Sequence, residues 1–145
     1  NNKLWRLKGG TPTPFSDFTL SVEDIDKTRY AGRCADIFFA NDKEGVFKWL
    51  HYLPIYDRIF GKYVDQPIRF LEIGVFRGGS LNLWREFFGP AATIYGVDID
   101  PACAAFDGIS GQVRIGSQDD PDFLRRVVEE MGGVDVVLDD GSHVS

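Results

Sequence analysis

Four short runs of this 145-residue sequence carry side chains able to do chemistry, and each follows an apolar stretch. The first is Glu72-Ile73-Gly74-Val75-Phe76-Arg77-Gly78-Gly79-Ser80. Glycines after a strand let the backbone approach a ligand and turn helix N–H groups toward it. A dinucleotide loop wants glycine two residues after the first, so that a pyrophosphate can touch the backbone. Here Phe76 stands at that position. The turn therefore suits a ligand without a diphosphate, held through an amine and a carboxylate. Glu72 could accept the amine, while Ser80 and backbone N–H groups could take the carboxylate. The plainer reading of Gly74, Gly78 and Gly79 is a tight turn.

The second run is Val97-Asp98-Ile99-Asp100-Pro101. An acid at this point can accept two hydrogen bonds from ribose hydroxyls. Asp98 is the better candidate, because Asp100 before a proline suits a turn or a helix cap. The third run, Gly116-Ser117-Gln118-Asp119, offers a hydroxyl and an amide that could read an adenine edge, or could simply cap a helix. The fourth is Leu138-Asp139-Asp140-Gly141-Ser142-His143. Adjacent carboxylates after an apolar strand crowd like charges unless a cation, metal or sulfonium, balances them. His143 lies three residues on and is the natural general base, since imidazole titrates near neutrality. His51 sits among aromatic residues and reads as a packed or partly exposed side chain. Taken in chain order, the four runs describe an amino acid, a ribose and an adenine, which is the outline of S-adenosylmethionine.

Such residues need elements to hold them. Residues 68–73, 93–98, 112–116 and 134–140 read as strands, and 80–88 and 121–131 as helices between them. Gly89-Pro90 ends the first helix; Asp120 and Pro121 open the second, and Gly132-Gly133 stops it. Alternating strands and helices predict parallel strands with right-handed crossovers: an α/β, Rossmann-like three-layer sandwich with a mainly parallel sheet. In that architecture ligands lie beyond the carboxyl ends of the strands. Apolar spacing from Lys43 to Phe60 predicts two short helices or one kinked at Pro54 and closed by Gly61. Ser21-Val22-Glu23-Asp24 could cap a further short helix. This divides the chain into an extension over 1–42, a helical lead-in over 43–66 and a cofactor-binding core over 67–145.

Composition narrows the classes. The chain is 43% hydrophobic and 14% aromatic, which excludes a disordered tail. With 22 acidic against 16 basic residues and no basic cluster, it is not expected to bind nucleic acid. No apolar run approaches the roughly 20 residues that cross a bilayer, and no signal-peptide layout opens the sequence, so a cytoplasmic protein without membrane contact is expected. Cys34 and Cys103 are too far apart to suggest a disulfide framework or a zinc knuckle. Homo-oligomer formation stays open.

Glu72-Ile73-Gly74, Gly78-Gly79-Ser80, Gly96-Val97-Asp98-Ile99-Asp100-Pro101, Ser117-Gln118-Asp119 and Leu138-Asp139-Asp140-Gly141-Ser142-His143 together resemble the class I S-adenosylmethionine-dependent methyltransferases. Within them, the chain looks most like the metal-dependent O-methyltransferases that modify sugars of macrolide antibiotics. The likeness covers about residues 41–145, and it includes Asn41-Asp42-Lys43 through His51-Tyr52 and Ile55-Tyr56. It implies magnesium-assisted methylation of a hydroxyl on a small molecule, such as a sugar or other natural product. By the resemblance Glu72, Gly74, Phe76 and Ser80 line the methionine end of the cofactor, with Gly78 and Gly79 in the same turn. Asp98 and Ile99 take the ribose side, Ser117 and Gln118 the adenine, and Asp139 completes the cofactor set. Asp140 becomes a magnesium ligand, with Asp139 the alternative, and His143 takes the acceptor's proton. In such relatives two further acidic ligands come from a later strand, so the core is expected to be C-terminally incomplete in this sequence. The alternatives are an NAD-type dinucleotide-binding oxidoreductase, which Phe76 argues against, and a non-catalytic nucleoside-binding fragment of the same fold. If His143 is the base, His143→Ala lowers turnover while cofactor affinity, measured by calorimetry, stays near wild type.

Overall fold

In the computed structural model, residues 26–41, 46, 48 and 50–141 are described. Their centre is a four-stranded sheet of β1 (Arg69–Ile73), β2 (Thr93–Asp98), β3 (Gln112–Ile115) and β4 (Val136–Asp139), ordered β3-β2-β1-β4. Every pairing is parallel. Consecutive strands step one way from β1 to β3, and β4 then joins the other side of β1. That reversal makes the carboxyl ends of β1 and β4 a topological switch point, where such sheets leave a crevice.

Helices cover both faces because the strand side chains alternate. Phe70, Ile94 and Val113 join one apolar cluster with residues of α1 (Arg33–Ala40), α2 (Leu53–Phe60) and α3 (Gly79–Phe88). Leu71, Tyr95 and Val97 face the other way, onto Val127 and Met131 of α4 (Pro121–Met131). The result is the expected three-layer α/β sandwich. Its larger core centres on Trp84 of α3, fully buried among Tyr56, Phe60, Phe70, Phe87 and Phe88, with ring centroids 5.1–6.2 Å away. Gly96 is dictated by this packing: a Cβ there would stand 2.4 Å from Val75 Cγ2.

The helix ends follow the sequence signals closely. Asp120 accepts from the backbone N–H groups of Asp122 and Phe123, Pro121 opens α4, and Gly132 ends it at φ 81°. Asp100 likewise accepts from Ala102 N–H and starts the 3-10 turn Pro101–Phe106. Of the two arrangements expected around Pro54, the described residues show two short helices, a 3-10 turn and then α2, with Pro54 in the first turn of α2, where its missing N–H has no helical partner to lose. Gly61 caps the end of α2, as expected, and with helical angles leads on into a 3-10 turn over Gly61–Tyr63. Of the lead-in before α2, the described residues are Val46, Lys48 and the 3-10 turn at Leu50–Tyr52.

Strand β4 is shorter than residues 134–140. Asp135 is instead taken by Arg69, whose backbone N–H and guanidinium both donate to its carboxylate, and pairing begins at Val136. Ile68 and Gly116 fall just outside their strands, and α3 begins at Gly79. The capping reading of Ser21-Val22-Glu23-Asp24 lies outside the described residues. Both cysteines are free and buried. Trp84→Ala should lower stability by about 3–5 kcal/mol in urea unfolding, because the cavity falls where both helices and β1 meet.

Candidate active site

The register brings the strand ends level. Ile73 pairs with Val97 on one side and with Asp139 on the other, so Gly74, Asp98 and Asp140 follow at one edge of the sheet. Gly74 (φ 93°) packs so closely on β4 that a Cβ would sit 2.9 Å from the Asp140 carbonyl oxygen. Beyond it, the turn is held from β2. Asp98 Oδ2 accepts from the N–H groups of Val75 at 2.9 Å and Phe76 at 3.0 Å, while Oδ1 accepts from Asp100 N–H at 2.9 Å. Burial works against this carboxylate's charge. Its hydrogen bonds from the N–H groups of Asp100, Phe76 and Val75 and from the Cys103 thiol nevertheless hold it below its ordinary value of 3.8. Asp98 is thus an anion at neutral pH. Its stabilising contribution is present above the ordinary value and fades as the pH falls through the lowered one.

Phe76 adopts φ 54°, uncommon for a bulky residue, and its carbonyl accepts from Cys103 Sγ at 2.9 Å. The Phe76 side chain is 53% exposed, and Ile99, which follows Asp98 in the chain, is 72% exposed. Two large apolar side chains thus flank the charged Asp98 at the strand ends. Cys103 itself is inert: burial, then the Asp98 charge, push its thiol up to about 12.

On the inner side of the turn lies a charged group that composition alone could not place. Glu72 is wholly buried, at 0% exposure. Its Oε2 accepts from the Ser80 hydroxyl at 2.6 Å; Oε1 accepts from Trp84 Nε1 at 3.2 Å and from Lys48 Nζ at 2.8 Å. Lys48 is also buried and reaches Asp140 Oδ2 at 2.5 Å. Burial opposes the ammonium's charge, yet Glu72 and Asp140 keep its affinity for the proton above the ordinary lysine value. Glu72 and Ser80, expected as direct ligand contacts, are here bonded to each other inside the protein, while Asp140 keeps a 39% exposed side chain.

Elsewhere along the edge, Ser117 Oγ accepts from Asp119 N–H as a local cap. Gln118 reaches across to β4, its Oε1 2.6 Å from where a Cβ on Gly141 would stand. Asp139 Oδ1 accepts from Gly141 N–H at 3.1 Å. Gly78 and Gly79 lead into α3, with Gly78 left-handed at φ 74° against the Phe106 ring. His51 is exposed and meets Tyr52 edge-on. The proposed base His143 lies outside the described residues. Among the described residues no cluster of three or more His, Cys, Asp or Glu side chains could hold a metal, and no helix is long and apolar enough to cross a membrane. A partly exposed carboxylate such as Asp140 is the type of donor a hard cation takes, since magnesium is often bound through one or two carboxylates and otherwise by water and substrate.

Lys48 and Trp84 were given no role by the sequence motifs. A signal existed for Lys48: it is the one charge inside Val46-Phe47-Lys48-Trp49-Leu50, an apolar run that buries a cation only against an anion.

No family model matches the chain. Curated relatives do. It is 43% identical over 113 residues to 8-demethyl-8-(2-methoxy-alpha-L-rhamnosyl)-tetracenomycin-C 3'-O-methyltransferase of Streptomyces olivaceus, covering 73% of this chain and 28% of that one. It is 39% identical to L-olivosyl-oleandolide 3-O-methyltransferase of Streptomyces antibioticus, over 74% of this chain and 28% of the relative. Among solved structures, the MycE methyltransferase from the mycinamycin biosynthetic pathway, in complex with Mg, SAH and mycinamycin VI, superposes with a TM-score of 0.61. That pair is 37% identical and covers 77% of this chain and 28% of MycE. In fold and sequence the chain is similar to class I S-adenosylmethionine-dependent methyltransferases. The curated relatives it matches are sugar O-methyltransferases of antibiotic pathways, and it spans about a quarter of their length.

Asp98→Ala should unlatch the turn. We expect a loss of about 1–3 kcal/mol in stability, with faster hydrogen exchange at the Val75 and Phe76 amides than at β1.

Proposed function

We propose that this chain is the cofactor-binding portion of an S-adenosylmethionine-dependent O-methyltransferase acting on a sugar hydroxyl of a small-molecule acceptor. The observation that carries the reading is the level placement of Gly74, Asp98 and Asp140 beyond three neighbouring parallel strands, in a sequence 43% identical to a sugar O-methyltransferase. On this reading residues 67–145 form the cofactor core, 43–66 a helical lead-in and 1–42 an extension. When bound, S-adenosylmethionine supplies an electrophilic methyl group and magnesium a positive charge that acidifies a nearby hydroxyl.

The protein's own tasks are binding, orientation and proton removal. Phe76 and Ile99 offer apolar surface on either side of Asp98, whose carboxylate faces the ribose hydroxyls. Ser117 and Gln118 lie where an adenine edge would end, and Asp139 lies nearby on β4. Glu72, with Ser80 and the glycines Gly74, Gly78 and Gly79, shapes the methionine end from within: its buried charge acts through Lys48 and the turn. Asp140 offers the cation a carboxylate oxygen, with Asp139 the alternative, and an imidazole nitrogen of His143 receives the acceptor's proton. Support against a dinucleotide comes from Phe76, which occupies the position where a pyrophosphate would need bare backbone.

Calorimetry tests this directly. S-adenosylmethionine and its demethylated product should bind while NAD does not, and Asp98→Ala should weaken that binding by roughly tenfold or more, the equivalent of one lost charged hydrogen-bond pair. Binding of NAD, or cofactor binding indifferent to Asp98, would refute the reading.

A further inference from the structure

We propose that Lys48 is a positioning residue for Asp140: it keeps one carboxylate oxygen inside the protein, leaves the other for a divalent cation, and by its own charge weakens that cation's binding. The inference rests on the reading of Asp140 as a cation ligand. Lys48 Nζ bridges two acids from neighbouring strands, Glu72 Oε1 at 2.8 Å and Asp140 Oδ2 at 2.5 Å. Its side chain is 1% exposed, and the Trp84 ring covers the ammonium at 5.6 Å. The lysine is not free to swing into solvent, because Glu72 is fully buried and has no other cationic partner among the described residues. Leaving would strand an unpaired carboxylate in the core, at a cost of several kcal/mol.

Asp140 therefore shares one oxygen with Lys48. With Oδ2 committed to Lys48, only Oδ1 can face a cation, so a two-oxygen grip by this carboxylate is blocked. The ammonium also sits within one carboxylate's width of the arriving ion, and like charges at that distance repel strongly in a partly buried setting. Lys48 thus trades cation affinity for a fixed carboxylate direction, and it links the segment before α2 to the carboxyl end of β4.

The test is Mn2+ binding to the full-length protein, followed by the electron paramagnetic resonance of free Mn2+, without any turnover measurement. Lys48→Met should bind Mn2+ roughly tenfold or more tightly, and Lys48→Arg, which keeps the charge, should stay near wild type. Because Lys48→Met leaves Glu72 unpaired and can fail to fold, Lys48→Met/Glu72→Gln removes the cation together with one anion and should show the same tightening. Unchanged or weaker Mn2+ binding in the folded variant overturns the proposal, as does equal tightening in Lys48→Arg. Asp140→Asn separates the two readings: it should weaken Mn2+ binding, and if it does not, Asp140 is no ligand and the inference falls with that assignment.

Discussion

A carboxylate with no access to water must be neutralised and fully hydrogen-bonded, and Glu72 imposes that demand on the centre of this molecule. It is met from three directions. Ser80 and Trp84, one turn apart on α3, donate to the two oxygens, and Lys48 brings the positive charge from the segment before α2. Satisfying one acid therefore fixes how α3 leans on β1 and where the lead-in docks. It also explains the aromatic density: Trp84 has to present its N–H to Glu72, and Tyr56, Phe60, Phe70, Phe87 and Phe88 hold its ring in that orientation.

The second acid at the strand ends is handled differently. Asp98 is partly solvated and takes its hydrogen bonds from backbone N–H groups, so it organises the turn after β1. One carboxylate braces the turn from inside and the other from outside. Between them Phe76 is held in a left-handed conformation that glycine would adopt more readily, and its ring is driven out toward the crevice. Asp140 is the most open of the three, with one oxygen drawn inward by Lys48 and its side chain 39% exposed. Exposure rises from Glu72 through Asp98 to Asp140, and the three like charges are held in three different ways along one sheet edge.

Much of the scaffold was legible because its signals are local. The strands β1 to β4, the Asp120–Pro121 start of α4 and the glycine stops follow from periodicity and capping chemistry. Local signals also misled. Val134 and Asp135 were read as part of β4, but strand pairing begins at Val136, while Asp135 bonds Arg69 of the neighbouring strand through both its backbone N–H and its carboxylate.

The four polar runs and their order along the chain were determined by sequence alone, and so was the sandwich that sets them at one edge, since periodicity, caps and crossover handedness are properties of neighbouring residues. Which side chains face a ligand and which are consumed by the protein was decided only by tertiary structure. Ser80 and Glu72 look equally available in a glycine-rich motif, yet they bond each other inside the core. Lys48, 24 residues before Glu72 and 92 before Asp140, carries no motif at all. Its role arises because burial makes a charge seek its opposite through space, and distance along the chain does not record that distance.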